Sequence, residues 1–210
     1  MIDQLDRSAC RARLRELDNP VDRYRFMQET WRELIPRNTR IIHGHLLFHS
    51  YLSRPLIDAV PQAFKVVWLR APEQRALSTY NFVRQTWLRN GPQEWTGARW
   101  LEAMFRDPVE ACTHPSMVNF QANEMRHFEL EEFDFIGFTE RFEEDLDQLQ
   151  SHFGPIGLRS HVVNTSATVR PLNPGELQAI REANDLDVAL YNRARSLRGL
   201  PPLQALRLKN

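Results

Sequence analysis

The sequence predicts an α/β domain with a mainly parallel sheet. Two short apolar runs, residues 64–69 and 133–138, each stand directly before a segment that begins like a helix. The first run does not alternate between polar and apolar residues, which indicates a strand covered on both faces. Pro72 suits the first turn of the helix that follows this strand, because its missing N–H costs nothing there.

The other elements are placed by helix patterning and by the prolines that interrupt it. Helices are predicted around residues 4–17, 20–34, 53–60, 72–89, 119–129 and 175–198, and a further strand is predicted shortly after residue 40. Pro61 separates the third of these helices from the 64–69 strand. Pro171 and Pro174 mark the turn before the last helix, which is amphipathic.

Arg70 is predicted to lie at the carboxyl end of the 64–69 strand, the edge where ligands bind in open α/β sheets. The free N–H groups at the start of the next helix favour a phosphate there. Ser78 lies two turns into that helix, with Arg75 one turn before it on the same side. An arginine fork and a hydroxyl can therefore converge on one phosphate. The alternative is a strand–helix unit whose arginines are simply solvated.

The residues from Arg70 to Tyr80 read Arg-x-Pro-x-x-Arg-x-x-Ser-x-Tyr after an apolar strand. This pattern resembles the 3′-phosphate-binding motif of sulfotransferases that use 3′-phosphoadenosine 5′-phosphosulfate (PAPS). The resemblance implies that Arg70 and Ser78 hold the 3′-phosphate of the nucleotide. Ala71 stands where many members have an acid or an asparagine, at a position that is not a phosphate ligand.

A second match lies upstream, where residues 40–48 read Arg-Ile-Ile-His-Gly-His-Leu-Leu-Phe. This segment and its distance from the arginine motif resemble the His-Gly-His segment of the glycan 2-O-sulfotransferases. The resemblance implies that His45 is the general base. Sulfuryl transfer to an alcohol needs a group that accepts the hydroxyl proton, and histidine suits this task with an unperturbed pKa near ~6.5.

The histidines of this segment allow two other interpretations. His43 and His45 point to the same face of a strand, so together with His49 they could bind a metal. No Asp, Glu or Cys close in sequence completes such a site, and no metal is expected. They could also be hydrogen-bonded histidines of the core.

The second half of the chain extends the resemblance, which covers roughly residues 40–195. Residues 137–142 match a Gly-x-Thr-Glu-x-Phe segment, in which Thr139 can cap a helix and Glu140 can complement its positive end. Asn184, Asp187 and Tyr191 match a closing Asn-x-x-Asp-x-x-x-Tyr pattern. Both patterns are interpreted as scaffold.

One part of the family pattern is not found in this sequence. PAPS enzymes of this group open with a strand and a glycine-bearing loop whose Lys or Arg, followed by Thr or Ser, cradles the 5′-phosphosulfate. No glycine occurs before Gly44, and Lys65 and Lys209 are the two lysines of the chain. We therefore expect either an N-terminally truncated enzyme or a degenerate relative that does not activate the donor.

The composition predicts a single domain over residues 1–210. With 42% hydrophobic residues, the chain can form one sizeable core. Its 27 basic and 27 acidic residues cancel, so no overall field points to nucleic acid or an anionic membrane as a partner. Cys10 and Cys112 lie far apart, which is typical of a reducing compartment. Nothing resembles a signal peptide or approaches the ~18 apolar residues of a membrane span, so a cytoplasmic location is expected.

Together these observations predict a three-layer α/β domain similar to the P-loop sulfotransferase fold, without its first strand and loop. The predicted activity is sulfuryl transfer from PAPS to a hydroxyl of a sugar or another small alcohol. Residues 90–118, broken by glycines and prolines and rich in aromatics, would form a lid or meet the acceptor. The alternatives are a non-catalytic remnant that binds a nucleotide or glycan and a metal-dependent hydrolase that uses the three histidines.

Overall fold

The structure, a computed structural model, describes residue 13 and residues 16–35, 50–91, 106–153 and 171–203. Two compact units can be distinguished in this part of the chain. The first comprises the residues up to Phe64 together with Glu124–Glu129. The second comprises Lys65–Asn123 and the chain from Leu130 onward.

The first unit is helical where it is described. Helix α1 spans Pro20–Leu34 and helix α2 spans Ser50–Ala59. Asn19 caps α1, since its side-chain oxygen accepts a hydrogen bond from Val21 N–H at 2.9 Å. Met27, Trp31 and Leu56 form the core between the two helices.

After α2, the described residues contain two strands, each followed by three α-helices. They are β1 (Val66–Leu69), α3 (Pro72–Asn90), α4 (Pro108–Cys112), α5 (Phe120–Met125), β2 (Phe135–Phe138), α6 (Phe142–Phe153), α7 (Pro174–Ala183) and α8 (Asp185–Leu197). The fold is thus mixed α/β and mostly helical. Among the described helices, none combines the length and the apolar character needed to cross a membrane.

The sheet of the second unit has two strands in the described residues, and they are parallel. Val66 pairs with Phe135 and Leu69 pairs with Phe138, so both strands end at the same edge. The predicted parallel pairing is confirmed. Both strands are shorter than predicted, and Phe64, which was expected to begin the first strand, is 37% exposed.

Helix α3 packs against α4 and α7 through one buried face. Tyr80 of α3 lies in a buried cluster with Ala111 and Cys112 of α4 and Ile180 of α7. Cys112 is a free cysteine with 0% exposure. Burial and the nearby carboxylate of Asp107 raise the pKa of its thiol to about 12.

The closing helix differs from its prediction because it is interrupted. One helix was expected over residues 175–198, but α7 ends before Asn184 and α8 begins after it. The backbone of Asn184 is not helical, with φ −107° and ψ 45°. Its side-chain N–H groups donate to the Ile180 carbonyl at 2.7 Å and to the Cys112 carbonyl at 3.4 Å. The bond to Ile180, four positions back, is local and competes with the backbone bonding of a continued helix.

Two other predicted helices have different limits in the structure. The helix expected over residues 119–129 is the short α5, and Asn119 before it has a positive φ of 56°. Helix α2 begins before its predicted start and contains Pro55. Most of the predicted 4–17 helix and the whole His-Gly-His strand lie outside the described residues.

Gly137 lies in β2 where the ring of Trp68 leaves no room for a side chain. A Cβ atom built on Gly137 would stand 2.4 Å from Cε3 of Trp68. The same ring packs against Phe142 with 4.7 Å between the centroids and a tilt of 37° between the ring planes. The glycine therefore lets the indole lie on the backbone of the neighbouring strand.

We expect Gly137→Ala to destabilise the protein by about 1–3 kcal/mol, because the added methyl group forces the indole or the strand to move. Urea unfolding of Gly137→Ala, Trp68→Leu and the double variant tests this. The double variant should lose less stability than the sum of the single variants, since the leucine vacates the space that the methyl group needs. Additive losses would contradict the steric explanation.

Candidate functional site

The structure confirms the strand–turn–helix arrangement around Arg70. Arg70 follows the last residue of β1, Pro72 opens α3, and Ser78 lies half-buried further along that helix. Because β1 and β2 are parallel, Thr139 after β2 lies at the same edge of the sheet. The sequence therefore predicted the position of this edge and the residues of β1 and α3 that form it.

Gln121 of α5 holds the backbone of Arg70 on both sides. Its side-chain oxygen accepts a hydrogen bond from Arg70 N–H, and its amide donates to the Arg70 carbonyl, both at 2.9 Å. Gln121 is buried. The Gln121 amide thus forms hydrogen bonds with the strand end in the way that a neighbouring strand would. It provides hydrogen-bond partners for two backbone groups that lie beyond the sheet.

The side chain of Arg70 carries an unused donor. Its Nε atom is buried and has no hydrogen-bond partner among the described residues. Leaving a buried donor unpaired costs about 1–3 kcal/mol. An acceptor placed against this atom would remove that cost.

The N–H group of Ala71 is hydrogen-bonded to a carboxylate that follows the end of β2. It donates to Glu140 Oε1 at 2.6 Å, and Tyr191 O–H donates to Glu140 Oε2 at 3.0 Å. Burial, followed by the charge of Glu140, raises the pKa of the Tyr191 hydroxyl. This tyrosine therefore acts as a neutral donor.

The roles predicted for the Gly-x-Thr-Glu-x-Phe segment need correction. Residues Thr139–Arg141 form a short 3-10 turn without a side-chain cap, and α6 begins only at Phe142. Thr139 instead donates its hydroxyl to the Leu69 carbonyl at 3.4 Å. The carboxylate of Glu140 binds at the start of α3 rather than simply complementing its own helix.

The closing pattern Asn184, Asp187 and Tyr191 is buried, each residue being 1% exposed. Asp187 accepts hydrogen bonds from Ala122 N–H at 2.7 Å and Gln121 N–H at 3.3 Å, at the start of α5. Burial raises the pKa of the Asp187 carboxyl, although these two N–H groups and the Arg75 guanidinium oppose the shift. These contacts give the three residues a packing role, as expected for a pattern interpreted as scaffold.

Arg75 is held against an aromatic ring. Its guanidinium lies over Phe120, 4.5 Å from the ring centroid. The charge of Arg75 also favours the ionised form of Asp187. The predicted position of Arg75, one turn before Ser78 on α3, gave no sign of its contact with Phe120 of α5 or of its electrostatic interaction with Asp187 of α8.

A buried ion pair joins α3 to α7 and was not predicted. Arg181 Nη2 lies 2.6 Å from Glu73 Oε1, and Arg181 Nε donates to Glu73 Oε2 at 3.3 Å. Glu73 is 8% exposed and Arg181 is 7% exposed. The residues stand 108 positions apart, so no local sequence signal links them.

A separate pocket of about 230 Å³ lies beside the beginning of β2. Its lining includes Asp134, Phe135, His152 and Arg198 but neither Arg70 nor Ser78. Because β2 begins at Phe135 and ends at Phe138, this pocket adjoins the strand start, whereas Arg70 follows the end of β1.

Several predicted functional residues lie outside the described residues. They are His43, His45 and His49, so the general-base and metal interpretations both stay predictions. The same holds for residues 92–105 of the predicted acceptor segment. Among the residues that are described, no group of three or more His, Cys, Asp or Glu side chains could hold a metal ion.

Comparisons of the chain with protein-family models, with curated proteins and with solved structures found no match.

We expect Arg181→Leu to destabilise the protein by about 3–5 kcal/mol, because it leaves the carboxylate of Glu73 buried without its partner. The double variant Glu73→Gln with Arg181→Leu should recover part of this loss, since no uncompensated charge remains. Urea unfolding measures both effects. Equal stability of Arg181→Leu and the wild type would show that the ion pair contributes nothing.

Proposed function

We propose that this protein transfers a sulfuryl group from PAPS to a hydroxyl of a sugar or another small alcohol. Arg70 and Ser78 hold the 3′-phosphate of the nucleotide, and His45 is the general base. The observation that best supports the nucleotide site is the half-buried Arg70 side chain at the end of β1, whose Nε has no hydrogen-bond partner in the part of the chain that the structure describes. A phosphate oxygen is the acceptor that a guanidinium binds best.

The start of α3 offers further donors to an anion. Arg75 N–H bonds to the Ala71 carbonyl, so the helical bonds begin there. Pro72 has no N–H and the N–H of Ala71 binds Glu140, so Glu73 and Gln74 supply the backbone donors of the first turn. A phosphate at this point would combine these donors with the charge of Arg70.

The carboxylates of Glu73 and Glu140 lie near the start of α3 and repel a bound anion. Their surroundings weaken this electrostatic repulsion. The charge of Glu73 is compensated by Arg181 at 2.6 Å. Glu140 is exposed and hydrogen-bonded by Ala71 and Tyr191. Water screens an exposed charge, whereas a direct guanidinium–phosphate contact is short and charge-assisted, so the contact outweighs the repulsion.

The reaction requires one proton acceptor and one leaving group. The acceptor hydroxyl oxygen bonds to sulfur while the bond from sulfur to the bridging phosphate oxygen breaks. The hydroxyl proton passes to His45, and the products are a sulfate ester and adenosine 3′,5′-bisphosphate. The donors at α3 hold the nucleotide during transfer and do not themselves stabilise the bridging oxygen.

A second candidate is a nucleotide- or glycan-binding module that does not catalyse transfer. One sequence feature favours it: residues 1–210 contain no glycine-rich loop with a Lys to cradle the phosphosulfate. Some enzymes stabilise a developing anion with preorganised hydrogen-bond donors, and removal of one such donor lowers their rate by about 10²–10³. Turnover with PAPS separates this candidate from the enzyme.

We expect adenosine 3′,5′-bisphosphate to bind the wild type and to bind Arg70→Ala roughly ten- to a hundredfold more weakly, because one charge-assisted hydrogen bond is lost. Isothermal titration calorimetry measures this. Arg89→Ala is the matched control, since it removes the same charge from the far end of α3. Equal affinities of Arg70→Ala and the wild type, or no binding by the wild type, would refute the nucleotide site.

We expect His45→Ala to reduce transfer of labelled sulfate from PAPS by about 10²–10⁴, because the general base is lost. Its affinity for the bisphosphate should stay close to that of the wild type. His43→Ala is the neighbouring control and should have the smaller effect. A larger loss in His43→Ala would assign the base to the other histidine. Bisphosphate binding without any turnover by the wild type would favour the binding module.

A further inference from the structure

The peptide between Arg70 and Ala71 is held by two side chains from distant parts of the sequence. Gln121 binds both the N–H and the carbonyl of Arg70, and Glu140 accepts the N–H of Ala71. Three hydrogen bonds of 2.6–2.9 Å therefore fix the backbone on both sides of the arginine Cα.

Both residues are in turn held by α8, Gln121 through its backbone and Glu140 through its side chain. The Asp187 carboxylate accepts the N–H groups of Gln121 and Ala122, which fixes the start of α5. Tyr191 donates to the second oxygen of Glu140. Residues 187 and 191 are one helical turn apart, so one face of α8 supports both contacts to the strand end.

We infer that Glu140 and Gln121, supported by Tyr191 and Asp187, are positioning residues for the phosphate site. This inference rests on the function proposed above. None of the four needs to touch the ligand. They act by fixing φ and ψ at Arg70 and Ala71, which determine where the guanidinium of Arg70 and the first turn of α3 stand.

Fixing the backbone matters because of the entropy that binding would otherwise cost. Ordering a free backbone residue costs conformational entropy, and ordering a mobile arginine side chain costs more. Where the backbone is already held in the free protein, less of this cost falls on the binding step. A loosened peptide should therefore weaken phosphate binding even though every ligand contact remains possible.

Tyr191→Phe tests this with the least disturbance. It removes only the hydroxyl, keeps the edge-to-face packing against Phe138 at 5.1 Å, and leaves the charge of the site unchanged. We expect the Ala71 amide to exchange faster with deuterium and bisphosphate affinity to fall by roughly two- to tenfold, since Glu140 loses the hydrogen bond from Tyr191. The hydroxyl also has a hydrogen bond with Arg195, which does not touch the Arg70 peptide. Amide exchange by NMR and calorimetry measure the two effects.

Glu140→Gln and Glu140→Ala form a charge-matched pair. Both remove the same carboxylate, but only the glutamine keeps an acceptor for Ala71 N–H. The alanine variant should therefore bind the bisphosphate more weakly than the glutamine variant and show faster Ala71 exchange. Equal affinities in the pair would mean that only the charge of Glu140 matters, which overturns the positioning role.

Asn192→Ala is the control for a merely structural loss. Asn192 also lies on α8 and accepts one backbone hydrogen bond, from Leu203 N–H at 2.7 Å, but it does not touch the Arg70 peptide. It should lower the unfolding temperature without changing Ala71 exchange or affinity. If Tyr191→Phe behaves in the same way, the positioning role is wrong and the proposed function stands. If the wild type binds no bisphosphate, the proposed function and this inference both fail.

Discussion

The buried carboxylate of Asp187 sets the position of the strand end that carries Arg70. A carboxylate in this environment must accept hydrogen bonds, and it takes them from the backbone at the start of α5. This fixes Gln121, whose amide then completes the backbone bonding of Arg70. If Asp187 lost these partners, α5 would be free to shift and the strand end would lose its support.

The elements that the sequence predicts correctly are those whose structure depends on residues close in sequence. Pro72 and the apolar run before it predicted β1, the turn and α3, and the structure confirms all three. Local pattern also predicted β2, although both strands are shorter than predicted, and the parallel pairing agrees with the predicted fold class. These elements position the candidate site, so its location at the sheet edge could be predicted from neighbouring residues alone.

Contacts between distant residues could not be predicted in the same way. Gln121 stands 51 positions from Arg70, and Glu140 stands 69 positions from Ala71. A glutamine on a short helix carries no sign of its partner, and Glu140 had a sufficient local explanation as a helix-start acid. The break at Asn184 depends on bonds to Ile180 and Cys112, and the second of these exists only in the folded chain.

The burial of Cys112 has a practical consequence for labelling. Its thiol is enclosed by α3 and α7, and the pKa raised to about 12 leaves almost no thiolate at neutral pH. Since the sequence holds only one other cysteine, Cys10, a maleimide dye taken up by the native protein marks that residue. Labelling of this kind leaves the core around Cys112 unmodified, so the buried thiol need not be removed first.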